Sequence, residues 1–450
     1  MKKFTFSTWV LFLVPSILGI ALFMIPMKYN GDWKVPIAIL ADILSGTVAS
    51  IMPWVAMITL IIAAFGSIVF LAIPKASLKP SFFINLFKVS FFWTVVRIIG
   101  AVLAVLTLFQ VGPEAIWSEN TGGLLLSEDG LVTFLFTIFL FAGILLPLLL
   151  NFGLLEFFGT MMVKVMRPLF KIPGRSSIDA LTSWIGDGTI GVLLTSKQYE
   201  EGFYTKKEAA IIGTTFSVVS ITFSIVIIEE VGLGAYFLPF YGTVILTGLI
   251  LAFIMPRIYP LVGKKEEYIN GAPSTGDEEK LPEGYSTFSH GLENALTKAD
   301  TNRSFLKTIT EGLKNVLDMW VGVIPVVMAF GTIALILAEY TSVFTILGIP
   351  FVPILSLLNI PEAADAAQLM VVGFTDMFLP VILADGLITS DLTLFVVATV
   401  SVTQLIFMAE TGGLLLGSKI PVKFLDLVVI FLLRTLISLP IIAGVAHLLF

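Results

Sequence analysis

The chain has 450 residues, of which 57% are apolar and only 13% charged, with a net charge of −6 and a mean hydropathy of +1.00. A soluble domain carries about 25% charged residues, so this composition excludes an ordinary water-soluble protein and indicates an all-α polytopic membrane protein, because helices satisfy their own backbone in lipid. The absence of cysteine excludes disulfides and thiolate metal sites, the two histidines, His290 and His447, stand too far apart to suggest a metal cluster, and no basic patch suggests nucleic acid.

The chain starts with Met1-Lys2-Lys3 and an apolar run at 8–26. A secretory signal has this charge pattern, but the run is about 19 residues long and no small-x-small cleavage site follows it, so a first transmembrane helix is expected. Further spans are expected at 51–73, 87–110, 131–150, 206–229, 233–256, 319–339, 391–411 and 424–446, while 35–50, which carries Asp42 and Gly46, is left open. Residues 1–130 read as peripheral or oligomerisation helices. No Lys or Arg occurs between Arg97 and Lys164, between Lys207 and Arg257, or between Lys314 and Lys419. By the positive-inside rule, 111–130, 230–234 and 340–390 then face outward.

From residue 131 onward a pattern runs twice, at a spacing of about 188 residues. The first copy holds Ile172-Pro173, then Gly186-Asp187-Gly188, then an apolar run from Thr205 that ends in Ser217, Ser220 and Thr222. The second holds Ile360-Pro361, then Gly373-Phe374-Thr375-Asp376, then a run from Ser390 with Thr399, Ser401, Thr403, Gln404 and Glu410. The charge rule is self-consistent only if 176–199 and 363–387 enter the membrane and return to the same side as re-entrant hairpins. Arms of about ten residues reach roughly 15 Å, half the hydrocarbon thickness, which sets both turns near the midplane. An odd number of crossings between the copies inverts the second, an arrangement suited to alternating access. Amphipathic stretches at 155–169 and 343–358 are expected along the interface, and the charged, Gly- and Pro-containing sequence from 264 to 300 reads as a mobile cytoplasmic linker. The expected organisation is therefore N-terminal helices at 1–130, a first repeat at 131–256, a linker and interfacial helix at 257–318, and a second repeat at 319–450.

Asp187 lies between two glycines, with Ser183 and Trp184 before it and Thr189 after it; Asp376 follows Gly373 and Thr375 and precedes Pro380. Glycine lets the backbone leave helical geometry and expose carbonyls, and an acid with hydroxyls beside it supplies oxygen ligands for a small cation or a polar substrate. Asp187 also suits a cap on the half-helix that follows. Pro380 is expected to break or kink the helix it enters. Ser217, Ser220, Thr222, Thr399, Ser401 and Thr403 fit either a polar lining or helix packing. Gln404 and Glu410 need partners on an apolar helix, and Glu410 precedes Thr411-Gly412-Gly413, an expected unwinding point. Glu229 and Glu230 read as solvated acids. Arg97 and Arg434 are expected to snorkel or to pair with an acid such as Asp42.

The stretch Met166-Arg167-Pro168-Leu169-Phe170-Lys171-Ile172-Pro173-Gly174-Arg175, the Gly-Asp turn and the restart Thr205-Lys206-Lys207-Glu208-Ala209 resemble the nucleoside recognition, or Gate, domain. The whole chain resembles the YjiH family of bacterial inner-membrane proteins. The resemblance implies a core related to the concentrative nucleoside transporters, in which two re-entrant hairpins and two interrupted helices enclose a nucleoside and a sodium site. It maps the hairpin turns onto 186–189 and 373–376 and the interrupted helices onto 214–222 and 399–410. The acid and Asn-Ser motifs of those transporters are not found here, and neither is the cysteine of the ferrous-iron permease Gate.

The expectation is a non-enzymatic, cation-coupled secondary transporter in the bacterial cytoplasmic membrane, moving a nucleoside or an amino-acid or dipeptide-like solute. Substrate would meet Ser183, Gly186, Asp187, Thr189, Ser217, Ser220, Gly373, Thr375, Asp376, Gln404 and Glu410. A coupling sodium ion or proton, with no other cofactor, would meet Asp187, Asp376, Thr399, Ser401 and Thr403. Partners are the solute and membrane lipids, with a homo-oligomer left open. The rivals are a non-transporting scaffold or sensor of the Gate family and, more remotely, an intramembrane aspartyl protease, whose Gly-x-Gly-Asp motif is half matched at Trp184-Ile185-Gly186-Asp187 and at Gly373-Phe374-Thr375-Asp376.

Overall fold

The structure, a computed structural model, describes residues 4–25, 27–29, 32–73, 81–128, 130–186, 188–216, 218–219, 221–274, 281, 284–384 and 386–450. Among the described residues it is helical apart from one short antiparallel pair, Met27–Tyr29 with Asp32–Lys34, and an isolated antiparallel bridge between Glu267 and Pro273. Among the described residues seven helices are long and apolar enough to span a bilayer: Phe6–Phe23, Met52–Ala72, Phe91–Phe109, Glu114–Leu150, Gly234–Arg257, Leu306–Tyr340 and Phe424–Leu449. Two expected spans are absent from this set, 206–229 and 391–411. Both are broken in the middle.

Contacts divide the chain into two units. One comprises Met1–Pro168, Pro173–Leu181 and Ser274–Ile333, the other Leu169–Ile172, Thr182–Pro273 and Ala334–Phe450. In the first unit, helix Met52–Ala72 packs on Phe91–Phe109, and Leu131–Leu145 packs on both Pro36–Val48 and Phe305–Asp318. Small residues allow these approaches: a Cβ on Gly143 would lie 2.6 Å from Val316, and one on Gly312 would lie 2.8 Å from Ile144. Arg97 is buried here, and the acid within its electrostatic reach is Asp318 rather than Asp42. Nη1 donates to Ser67 Oγ (2.7 Å) and to the Leu86 carbonyl (3.1 Å), while Asp42 accepts from Lys34 at 2.6 Å. Lys34 precedes the helix that carries Asp42 and reaches it by local geometry, so that acid is already neutralised.

The second unit has its core around helix Asp391–Thr403, where residues 395–409 are all buried. Helix Lys206–Thr215 opens with a capping box, in which Thr205 N–H donates to Glu208 (2.9 Å) and Glu208 N–H to Thr205 Oγ1 (3.2 Å). It stops at Thr215, and a new helix, Ile221–Glu230, takes over. The second break runs from 404 to 410, with Leu405 at φ +62, before helix Thr411–Gly417 begins. It lies ahead of Thr411-Gly412-Gly413, where unwinding was expected. Gly412 is small for packing instead, since a Cβ there would meet the Phe407 carbonyl at 2.9 Å and Met408 Sδ at 3.0 Å.

Within the stretch expected as a mobile linker, residues 264–267 are held by specific contacts, while 275–280, 282 and 283 lie outside the described residues. Lys206 N–H donates to the Glu267 carbonyl (2.8 Å), Lys206 and Glu267 form an ion pair, Lys207 pairs with Glu266 (2.7 Å) and Lys264 with Asp426 (2.5 Å). Opposite charges thus pin 264–267 to the start of one broken helix and to the helix Phe424–Leu449. Further on, Thr287–Thr301 forms a helix in the first unit that packs on Phe6–Met24.

Candidate functional site around the second helix break

Helix Ala363–Val372 ends at Gly373, the chain turns through 374–378, and the short helix Leu379–Ala384 packs back on the first. Thr375 Oγ1 donates to the Val372 carbonyl (2.8 Å), closing the last turn. The Asp376 carboxyl accepts from Phe378 N–H (2.7 Å) and so caps the helix that follows. Pro380 does not break this helix. It stands at the second helical position, where its missing N–H leaves nothing unpaired.

The turn is stitched to the break. Met408 and Ala409 N–H groups donate to the Phe374 and Thr375 carbonyls, both at 2.8 Å, so that irregular backbone from two stretches pairs inside protein rather than in lipid. Gln404, fully buried, lies against the same turn. Its Nε2 donates to the Met370 carbonyl (2.7 Å) and to Thr435 Oγ1 (2.9 Å), while Oε1 is buried with no partner among the described residues. A Cβ on Gly373 would run into that oxygen. Structure therefore brings Gly373, Thr375, Asp376 and Gln404 together.

Arg434, from helix Phe424–Leu449, closes the break from the other side. It is 1% exposed, and its Nε and Nη2 both donate to the Thr403 carbonyl, at 3.1 and 2.8 Å. Nη1 donates to the Thr214 carbonyl at 3.4 Å, in the last turn of the helix Lys206–Thr215. Oγ1 of Thr215, the last residue of that helix, is buried with no partner among the described residues, as is Oε1 of Gln404, one residue beyond Thr403.

The remaining candidates fall into three groups. Thr399, Ser401 and Thr403 donate to carbonyls of their own helix, Phe395, Ala398 and Thr399, at 2.7, 2.9 and 3.0 Å, a back-bonding pattern that leaves only their lone pairs for a ligand. Ser183 and Gly186 lie in the π-helical turn Thr182–Gly186, and Thr189 is buried in helix Gly188–Glu200; Glu410, half-buried, stands just before Thr411–Gly417 without a side-chain cap to it. Asp187, Ser217 and Ser220 lie outside the described residues. What sequence reasoning missed is the role of Arg434 and Thr435. The available signal was a lone Arg in an apolar helix with no acid three or four residues away, which must find carbonyls elsewhere.

Residues 132–234 match the Gate family, described as nucleoside recognition. An uncharacterized protein of Alkalihalophilus pseudofirmus is 53% identical over 440 residues, covering 98% of this chain and 94% of that one. A solved structure of a doubly substituted CNTnw in an outward-facing state aligns over 98% of each chain at 16% identity, with a TM-score of 0.31. The chain is a multi-pass membrane protein with a Gate nucleoside-recognition domain, and it belongs to the same family as the Alkalihalophilus pseudofirmus protein.

Proposed function

We propose that this protein is a secondary transporter of a small polar solute, a nucleoside or a related metabolite, working by alternating access in the bacterial cytoplasmic membrane and coupled to a cation. The observation that carries this reading is the pair of broken helices, each with a buried side-chain oxygen at the end of its first half that has no partner among the described residues, Thr215 Oγ1 and Gln404 Oε1. Unpartnered polar groups in an apolar interior cost roughly 1–3 kcal/mol each and are retained where a ligand completes them. In this reading 176–199 and 363–387 are re-entrant hairpins of two inverted repeats, with Asp187 and Asp376 at their turns, and the hairpins open alternately to the two sides. Nucleosides lead the candidate solutes because the first repeat falls in the Gate match.

The test is a thermal-shift screen of the detergent-purified protein against nucleosides, nucleobases, amino acids and dipeptides. A ligand at 100 times its dissociation constant stabilises the folded state by about 2.7 kcal/mol. A hit that is reduced in Asp187→Asn and in Asp376→Asn, with uptake lost in vesicles while both variants still assemble, is the expected result. Unchanged uptake in both variants would overturn the reading in favour of a scaffold or sensor.

A further inference from the structure

Two helices of the second unit stop inside the apolar core, Lys206–Thr215 and Asp391–Thr403. A helix C-terminus leaves its last carbonyls without intrahelical partners and carries about half a negative charge. The Arg434 guanidinium donates to the terminal carbonyls of both, twice to Thr403 and once to Thr214. Among the described residues no carboxylate contacts it, which is unusual for a buried guanidinium. The two half-charges together come to about one negative charge, enough to balance one arginine without an acid.

We propose that Arg434 is a resident cation, taking the position at the two helix breaks that a coupling metal ion would otherwise hold. Unwound carbonyls and half-helix C-termini are what broken-helix transporters use to bind such an ion. Here the covalently held guanidinium occupies those carbonyls and repels any second cation. An anionic ligand is disfavoured at the same place by the two negative helix ends. The inference rests on the transporter reading and narrows its coupling: no sodium ion binds at the breaks, and uptake proceeds without sodium. The grip is unequal, with bonds of 2.8 and 3.1 Å on Thr403 and 3.4 Å on Thr214. The contact to Thr214 is therefore the one that opens first when the halves of the site move.

The experiment compares wild type with Arg434→Met and Arg434→Lys by melting temperature in detergent. The media are sodium, potassium, choline and millimolar guanidinium chlorides at matched ionic strength. Wild type is expected to melt at the same temperature in sodium and in choline. Arg434→Met is expected to melt about 5–10 °C lower and to recover at least half of that loss in guanidinium but none in choline. Arg434→Lys, which keeps the charge, is expected to fall between the two with no added cation. If Arg434→Met cannot be purified in any medium, Arg434→Lys decides: a variant that melts between wild type and an unfolded preparation supports the proposal, and one that also fails to fold overturns it. The proposal is likewise overturned if sodium stabilises wild type saturably, or if no cation restores Arg434→Met. Loss of guanidinium rescue with intact uptake would refute the resident cation alone. Absence of uptake and of any ligand shift would refute the transporter reading and leave the rescue standing.

Discussion

Both N–H donors of Gln404 are committed, to Met370 and Thr435, so that only Oε1 is free to respond to its surroundings. That oxygen lies over Gly373, whose φ of −55 suits any residue, so an alanine there is opposed by space alone. Gly373→Ala is expected to cost about 1–3 kcal/mol through overpacking against the amide. Gln404→Ala is expected to cost about 1–3 kcal/mol, because it strips the Met370 carbonyl of its donor inside the core. In the double variant the cost of Gly373→Ala should fall by roughly 1 kcal/mol or more, since the shortened side chain no longer reaches the turn. Denaturant unfolding of the four proteins in detergent measures this, and strict additivity would mean that the two residues do not constrain each other. Gln404 was legible as a residue in need of partners because an amide is costly on an apolar helix. Its partners were not legible, because they come from stretches about 30 residues away on either side, and sequence spacing carries no contact at that range.

At the scale of elements, Glu362 ties the start of one helix to the start of another. It stands in the left-handed region (φ +53) just before Ala363–Val372. Its carboxylate accepts from Thr389 N–H (3.0 and 3.1 Å), from Thr389 Oγ1 (2.6 Å) and from Ser390 N–H (3.2 Å), the cap of Asp391–Thr403. The hydrogen bonds from Thr389 and Ser390 hold its carboxyl below the usual carboxylate range. A group whose pKa is depressed on folding contributes stability that is fully present above its unfolded value, about 4.3, and is lost as pH falls through the folded value. The melting temperature should accordingly be flat from neutral pH down to about 5 and decline below that. Asp300, held low by Arg303 and Thr8, adds to the decline in the same direction, so the diagnostic is the comparison with Glu362→Gln, whose acid limb should be shallower. Superimposable limbs would mean that this clasp contributes nothing. The breaks of the two polar helices were not legible from hydropathy, which reads 206–229 and 391–411 as continuous spans; only the resemblance to the Gate family implied them. Their extent was not legible either, because the Thr411-Gly412-Gly413 glycines serve a close approach to Phe407 and Met408 rather than an unwinding. Pro380 misled in a similar way, since a proline that starts a helix and one that ends it look alike in sequence.

At the scale of the whole molecule, composition alone establishes a multi-pass membrane protein, and the arrangement of basic residues makes a stronger claim about which loops share a side. The claim turns on whether 363–387 crosses the membrane or returns. The helices in this stretch are short, Ala363–Val372 and Leu379–Ala384, and ten residues at 1.5 Å rise cover only about 15 Å of a hydrocarbon core of about 30 Å. Neither arm spans by itself, so the loop ahead of Ala363 and the start of Asp391–Thr403 should lie on the same, outer side, away from the lysines at 206–207 and 264–265. The chain contains no cysteine, which makes single introduced cysteines unambiguous reporters. Ser342 and Asp391 are exposed on the side predicted to face outward, Glu201 and Lys265 on the side predicted to face inward. Cysteines at 342 and 391 should react with a membrane-impermeant maleimide on intact cells, and cysteines at 201 and 265 only after permeabilisation. Labelling of position 391 from the inside with 342 still outside would mean that 363–387 crosses, which would remove the inverted second repeat and with it the alternating-access scheme.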